Sequence, residues 1–167
     1  FIYWALNSPH YPLQGDAKWR EYYKDLPSPR GKYNAFVSTL DERIGQMLNH
    51  LDTMGLTDKT MVIFQSDHGH STEERTFHGG GSAGIYRGAK GCLFEGGIRV
   101  PSIVSLPGVI PENEVREQFA TGVDWLPTIA DLCRIELPDR HLDGKSIKEL
   151  ILSEPAPSPH ETFYWHL

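Results

Sequence analysis

"LDERIGQMLNHLDTMGLTDKTMVIFQSDHG", residues 40–69, changes its hydrophobic period once, and that change decides the fold. Phe36, Val37, Leu40, Ile44, Met47, Leu48, Leu51 and Met54 recur at intervals of three and four, so residues 33–54 are predicted to form one amphipathic helix. Gly55 follows in the place of a helix C-terminal glycine. Gly45, inside the helix, costs on the order of 1 kcal/mol relative to alanine and predicts a close backbone contact on that side. "TMVIFQ" then reads as a continuous buried strand, the pattern of parallel sheets covered on both faces. A helix feeding such a strand implies an α/β layer architecture.

Outward from this unit, residues 1–6 form an apolar, aromatic run predicted as a buried strand, ended by "NSPHYP" with its two prolines. Residues 13–32 are polar and predict a surface connection with a helical turn at Trp19 to Tyr23. Residues 69–97 are glycine-rich and long for a structureless connection, a length that usually marks a functional loop. "VPSIVSLP" predicts a further short strand, and "VDWLPTIADLC" a helix with Pro127 in its first turn. "LDGKSIKELI" predicts a turn entering a short helix, and "TFYWHL" a new aromatic strand. The chain thus reads as opening in mid-strand and closing on an unpaired edge, as if cut from a larger protein.

With 167 residues, 39% of them hydrophobic, the chain has the size of one ordinary domain. Its net charge is −6 and its basic residues are scattered, which argues against nucleic acid or an anionic membrane surface as partner. No apolar run reaches the roughly 18 residues of a membrane span. The two cysteines, Cys92 and Cys133, match no metal-pair spacing and are expected to be buried free thiols.

Asp67 and His68 follow a predicted strand end, where the ligand crevice of open α/β sheets lies. A carboxylate beside an imidazole can coordinate a divalent cation, while an Asp-x-Gly turn accounts for the same residues without one. "YRGAKGCLFEGGIRVP", residues 86–101, places Arg87, Lys90, Glu95 and Arg99 among four glycines. Glycine permits close backbone approach to a ligand, and lysine is a mobile point charge toward an anion. The Walker pattern of a nucleotide loop is absent. His10, held between prolines after a predicted strand, suits proton donation to an anionic or leaving oxygen. His70 and His78 read as solvated or supporting residues rather than ligands.

Strand-then-"NSPHYP", "LDERIGQMLNHLDTMGLTDKT", "VIFQSDHG", "RGAKGCLFEGGIRVPSIV", "DWLPTIADL" and "LDGKSI" occur in the order found in the sulfatase family, arylsulfatase-like members of the alkaline phosphatase superfamily. The chain resembles that family from Phe1 to about Ile151. The resemblance implies an α/β fold with a mixed, mostly parallel sheet flanked by helices, present here as a partial domain. Residues 1–153 would be the C-terminal portion of the catalytic domain, and 154–167 a linker with the first strand of a small C-terminal subdomain. It implies that His10 contacts the sulfate ester and its leaving oxygen, that Lys90 binds a sulfate oxygen, and that Asp67 and His68 ligate the divalent metal. Many members carry Asp-Asn there. Histidine in place of asparagine weakens the family's calcium, which prefers oxygen ligands, and leaves magnesium, manganese or zinc open.

The family's nucleophile is a formylglycine made within a C/S-x-P-x-R signature, and neither Cys92 nor Cys133 stands in one. The resemblance places that segment, with further acidic metal ligands, upstream. The chain alone is therefore expected to be inactive and to self-associate through its exposed apolar surface. Its parent is expected to hydrolyse the sulfate ester of a small molecule or carbohydrate, and family analogy makes it periplasmic, secreted or lysosome-like. Two alternatives remain at this stage: a phosphodiesterase or phosphonate hydrolase of the same superfamily, and a non-catalytic anion-binding module on the same scaffold.

Overall fold

The computed structural model describes residues 1–153 and 155–166. Two compact units divide it, Phe1–Val104 and Ser105–Leu167. In the first, α1 (Ala17–Tyr22) and α2 (Arg30–Thr53) precede a strand, β1 (Val62–Gln65). A one-turn helix, α3 (Glu95–Ile98), then leads to β2 (Ser102–Ser105), which pairs with β1.

α2 begins three residues before the expected Tyr33 and ends where the pattern says it should. Gly55 has φ +64, its N–H reaches Asp52 O (2.9 Å), and the Leu56 N–H reaches Leu51 O (2.9 Å). That bond pair is a Schellman stop, and the left-handed backbone is what selects glycine. Ala35, Phe36, Thr39 and Leu40 are the buried face of α2, against α1. The Asp16 N–H donates to Thr39 Oγ1 (2.8 Å), Trp19 Nε1–H donates to Glu42 (3.0 Å), and Arg43 pairs with Asp16 (2.6 Å). The apolar stripe continues along the C-terminal half of α2, but Leu48 and Met54 are exposed there. Gly45 meets no atom within 4 Å of where a Cβ would stand, so the backbone contact expected from it is not formed.

β1 takes up the last four residues of the expected "TMVIFQ" strand, but Val62, Ile63 and Phe64 are half-buried and Gln65 is exposed, rather than sealed. Beyond its end, the Ser66 N–H donates to Pro101 O (3.2 Å) and the Gly69 N–H to Gly97 O (2.9 Å). Numbers rise on one side as they fall on the other, which is antiparallel pairing, the kind of strand a mixed sheet includes beside its parallel ones. The predicted strand at residues 1–6 does not form: Phe1, Ile2 and Tyr3 are almost wholly exposed. A strand exists only with a neighbour to take its backbone hydrogen bonds, and among the described residues none is placed beside it. Residues 162–166 likewise adopt no strand, and Leu167 lies outside the described residues.

In the second unit, a 3₁₀ turn (Gly122–Asp124) enters α4 (Trp125–Cys133), with Pro127 buried in its first turn, and α5 (Lys148–Leu152) packs against α4. Ile110, Ala130, Ile147, Leu150 and Ile151 are its buried apolar residues. At their centre is a fully buried carboxylate. Asp124 accepts from the Thr121 N–H (2.7 Å), the Lys145 N–H (2.9 Å) and His160 Nε2 (2.7 Å). The His160 ring meets Phe119 and Phe163 edge to face. Both cysteines are free, as expected, but Cys133 is exposed and Cys92 only half-buried. Among the described residues no helix is long and apolar enough to cross a membrane.

Candidate active site

Backbone packed on backbone builds the site. A Cβ placed on Gly69 would lie 1.9 Å from Gly96 O, and one on Gly96 would lie 2.3 Å from Gly88 O. Only glycine permits these approaches. The turn after β1, the start of α3 and the loop carrying Lys90 are thereby stacked on one another. The Lys90 N–H donates to His70 O (2.9 Å), which fixes the lysine's backbone two residues beyond His68.

Within the turn, Asp67 and His68 are oriented by short-range bonds. Asp67 Oδ1 accepts from the His68 N–H (3.0 Å), and Ser66 Oγ donates to His68 O (3.0 Å). His68 Nδ1 is 2.8 Å from Gly69 O. A carbonyl only accepts, so Nδ1 carries the proton and a neutral ring leaves its lone pair on Nε2. That atom stands 3.1 Å from Asp67 Oδ2. A carboxylate oxygen and an imidazole nitrogen are both atom types that bind divalent cations. An imidazole held by a carbonyl at its far nitrogen is also the usual arrangement of a ligating histidine. The pair supplies two donors. Among the described residues no group of three or more His, Cys, Asp or Glu side chains comes together for a metal ion.

Of the charged residues in the glycine-rich segment, three are occupied locally. Arg87 stacks on Phe94 (4.3 Å), and Arg99 pairs with Glu95 (2.9 Å) while covering Tyr86 (4.9 Å). Lys90 instead extends toward Glu73, with Nζ 3.4 Å from Oε2. Glu73 is a residue the sequence reading passed over. Its other oxygen accepts from Arg75 (2.5 Å), and Ser71 Oγ donates to Oε2 (3.0 Å). Arg75 lies over the Tyr11 ring (5.1 Å), and the Tyr11 ring packs at a tilt of 32° against His10 (4.5 Å). A continuous path of contacts therefore joins His10 to Lys90.

Hydrogen bonds from Arg75 and Ser71, with the Arg75 and Lys90 charges, hold the Glu73 carboxyl down at about 2. A depressed carboxylate stabilises the fold above its ordinary value of 4.5, and that contribution is lost as pH falls through about 2. Glu73 is therefore an anion at every working pH. His10 is exposed, and its Nδ1 lies 2.8 Å from Tyr11 O. His78 is exposed, in agreement with a solvated role, and His70 is half-buried with Nδ1 unpartnered.

The model of the family described as Sulfatase matches residues 1–135. Steryl-sulfatase of Rattus norvegicus is 43% identical over 143 residues, 83% of this chain and 25% of that protein. Arylsulfatase A of Homo sapiens is 32% identical over 166 residues, 99% of this chain and 31% of that protein. The crystal structure of Ps i-CgsB superposes with a TM-score of 0.80 at 26% identity, covering 87% of this chain and 32% of the other. The chain belongs to the sulfatase family. It spans about a quarter to a third of the length of these curated relatives.

Proposed function

We propose that this chain supplies part of the active site of a sulfatase that hydrolyses the sulfate ester of a small molecule or carbohydrate. Residues 1–153 form the C-terminal portion of its catalytic domain, and residues 154–167 lead toward a further subdomain. The observation that carries the reading is the shared support of two charges: the Asp67–His68 corner and Lys90 are tied together by the bond from the Lys90 N–H to His70 O.

In this reading Asp67 and His68 would hold the divalent cation. When bound, it supplies Lewis-acid polarisation of the sulfate. Lys90 brings its ammonium to a sulfate oxygen, where preorganised positive charge counts most as negative charge develops. His10, with its Nδ1–H committed to Tyr11 O, faces the ester's leaving oxygen with Nε2; as an imidazolium it carries a second proton on that atom, hands it to the leaving oxygen and is left as the neutral ring. These residues bind, orient and protonate, and none of them attacks the sulfur. The family's formylglycine would come from a C/S-x-P-x-R signature outside this sequence.

The test is release of inorganic sulfate from an aryl sulfate by the full-length protein, with an aryl phosphate diester as the competing substrate. Sulfate release well above diester hydrolysis is expected. The reverse preference would place the parent among the phosphodiesterases of the superfamily, and neither activity would favour a binding module.

A further inference from the structure

Glu73 has a place in this site that neither its sequence context nor any role assigned above explains. It stands in a run, "STEERT", that reads as a solvated acidic face, yet its carboxylate is engaged on both oxygens. One oxygen faces Arg75, which covers the ring of Tyr11 beside His10. The other faces Lys90, whose side chain is only 26% exposed. The two residues expected to meet the sulfate group, from loops far apart in the sequence, thus reach one carboxylate, directly in one case and through Arg75 in the other.

We propose that Glu73 is the positioning residue of the sulfate subsite, holding Lys90 on one side and, through Arg75 and Tyr11, the His10 loop on the other. The proposal rests on the reading of Lys90 as a sulfate ligand. The charge balance supports positioning over neutralisation. Two cations flank one carboxylate, so the cluster keeps a net positive charge for an incoming anion. Arg75 is the nearer partner at 2.5 Å, against 3.4 Å for Lys90, so Lys90 is steadied by Glu73 without being consumed by it. A long lysine chain left without such an anchor samples many rotamers, and ordering it would then fall on the substrate.

The experiment is a double-mutant cycle on aryl sulfate hydrolysis by the full-length protein, comparing wild type, Glu73→Gln, Lys90→Ala and the double variant. Glutamine keeps the shape and removes the charge. The expected result is a fall in kcat/KM of roughly tenfold for Glu73→Gln in the wild-type background, and of less than about twofold when Lys90 is already alanine. Losses that add in full would show that Glu73 acts on the fold alone and would overturn the proposal, as would wild-type kinetics in Glu73→Gln. The failure of the underlying reading looks different. An inactive wild type, or a Lys90→Ala variant as active as wild type, removes Lys90 from the subsite and overturns both.

Discussion

Replacing Lys90 with alanine in the full-length protein is expected to lower kcat/KM for an aryl sulfate by roughly 10²–10³-fold, the usual loss when one preorganised donor to a developing oxyanion is removed. The expectation follows from position. Lys90 is held by its backbone to His70 O (2.9 Å), and its side chain makes one ion pair of 3.4 Å. Long, partly exposed pairs contribute little to folding, so the melting temperature should hardly move while turnover falls. Steady-state kinetics with a parallel thermal melt make the comparison. A loss below about threefold would remove Lys90 from the chemistry.

The second large effect lies in the other unit. Asp124→Ala is expected to destabilise that unit by about 3 kcal/mol or more, because each buried donor left without its acceptor costs about 1–3 kcal/mol. Asp124 is fully buried, and its two oxygens serve Thr121, Lys145 and His160, so the substitution orphans two backbone N–H groups and an imidazole together. Its own carbonyl accepts from Thr128, which in turn receives the Ile147 N–H, so the start of α4 and the approach to α5 share the same centre. Urea unfolding followed by tryptophan fluorescence measures the loss. His160→Ala leaves the backbone partners of Asp124 in place and should cost less. Equal stability of Asp124→Ala and wild type would contradict the packing described.

What was readable in the sequence was local. The period of α2, the glycine that stops it, and the proline in the first turn of α4 act within a few residues, and each is found where the pattern put it. Residues 1–6 have the composition of a strand, but strand formation depends on a neighbour that no local pattern supplies. The acidic corner was visible because Asp67 and His68 are adjacent. Its tie to Lys90 was not, because it depends on Gly69, Gly96 and Gly88 stacking across a long loop. Glu73 was missed because an acid in a polar run looks solvated. Its place three residues beyond His70, inside a loop already marked as functional, was the available hint. The bond from Asp124 to His160 spans 36 residues and left no periodic trace.

The claim that organises the site is that Asp67 and His68 form a metal corner rather than a polar turn. Calorimetric titration of the metal-stripped full-length protein with magnesium, manganese, zinc and calcium, beside Asp67→Ala, tests it most directly. The account predicts saturable binding of a divalent cation by the wild type and an affinity at least about tenfold lower in the variant. Equal binding by the two proteins would contradict it and return the turn to a structural role.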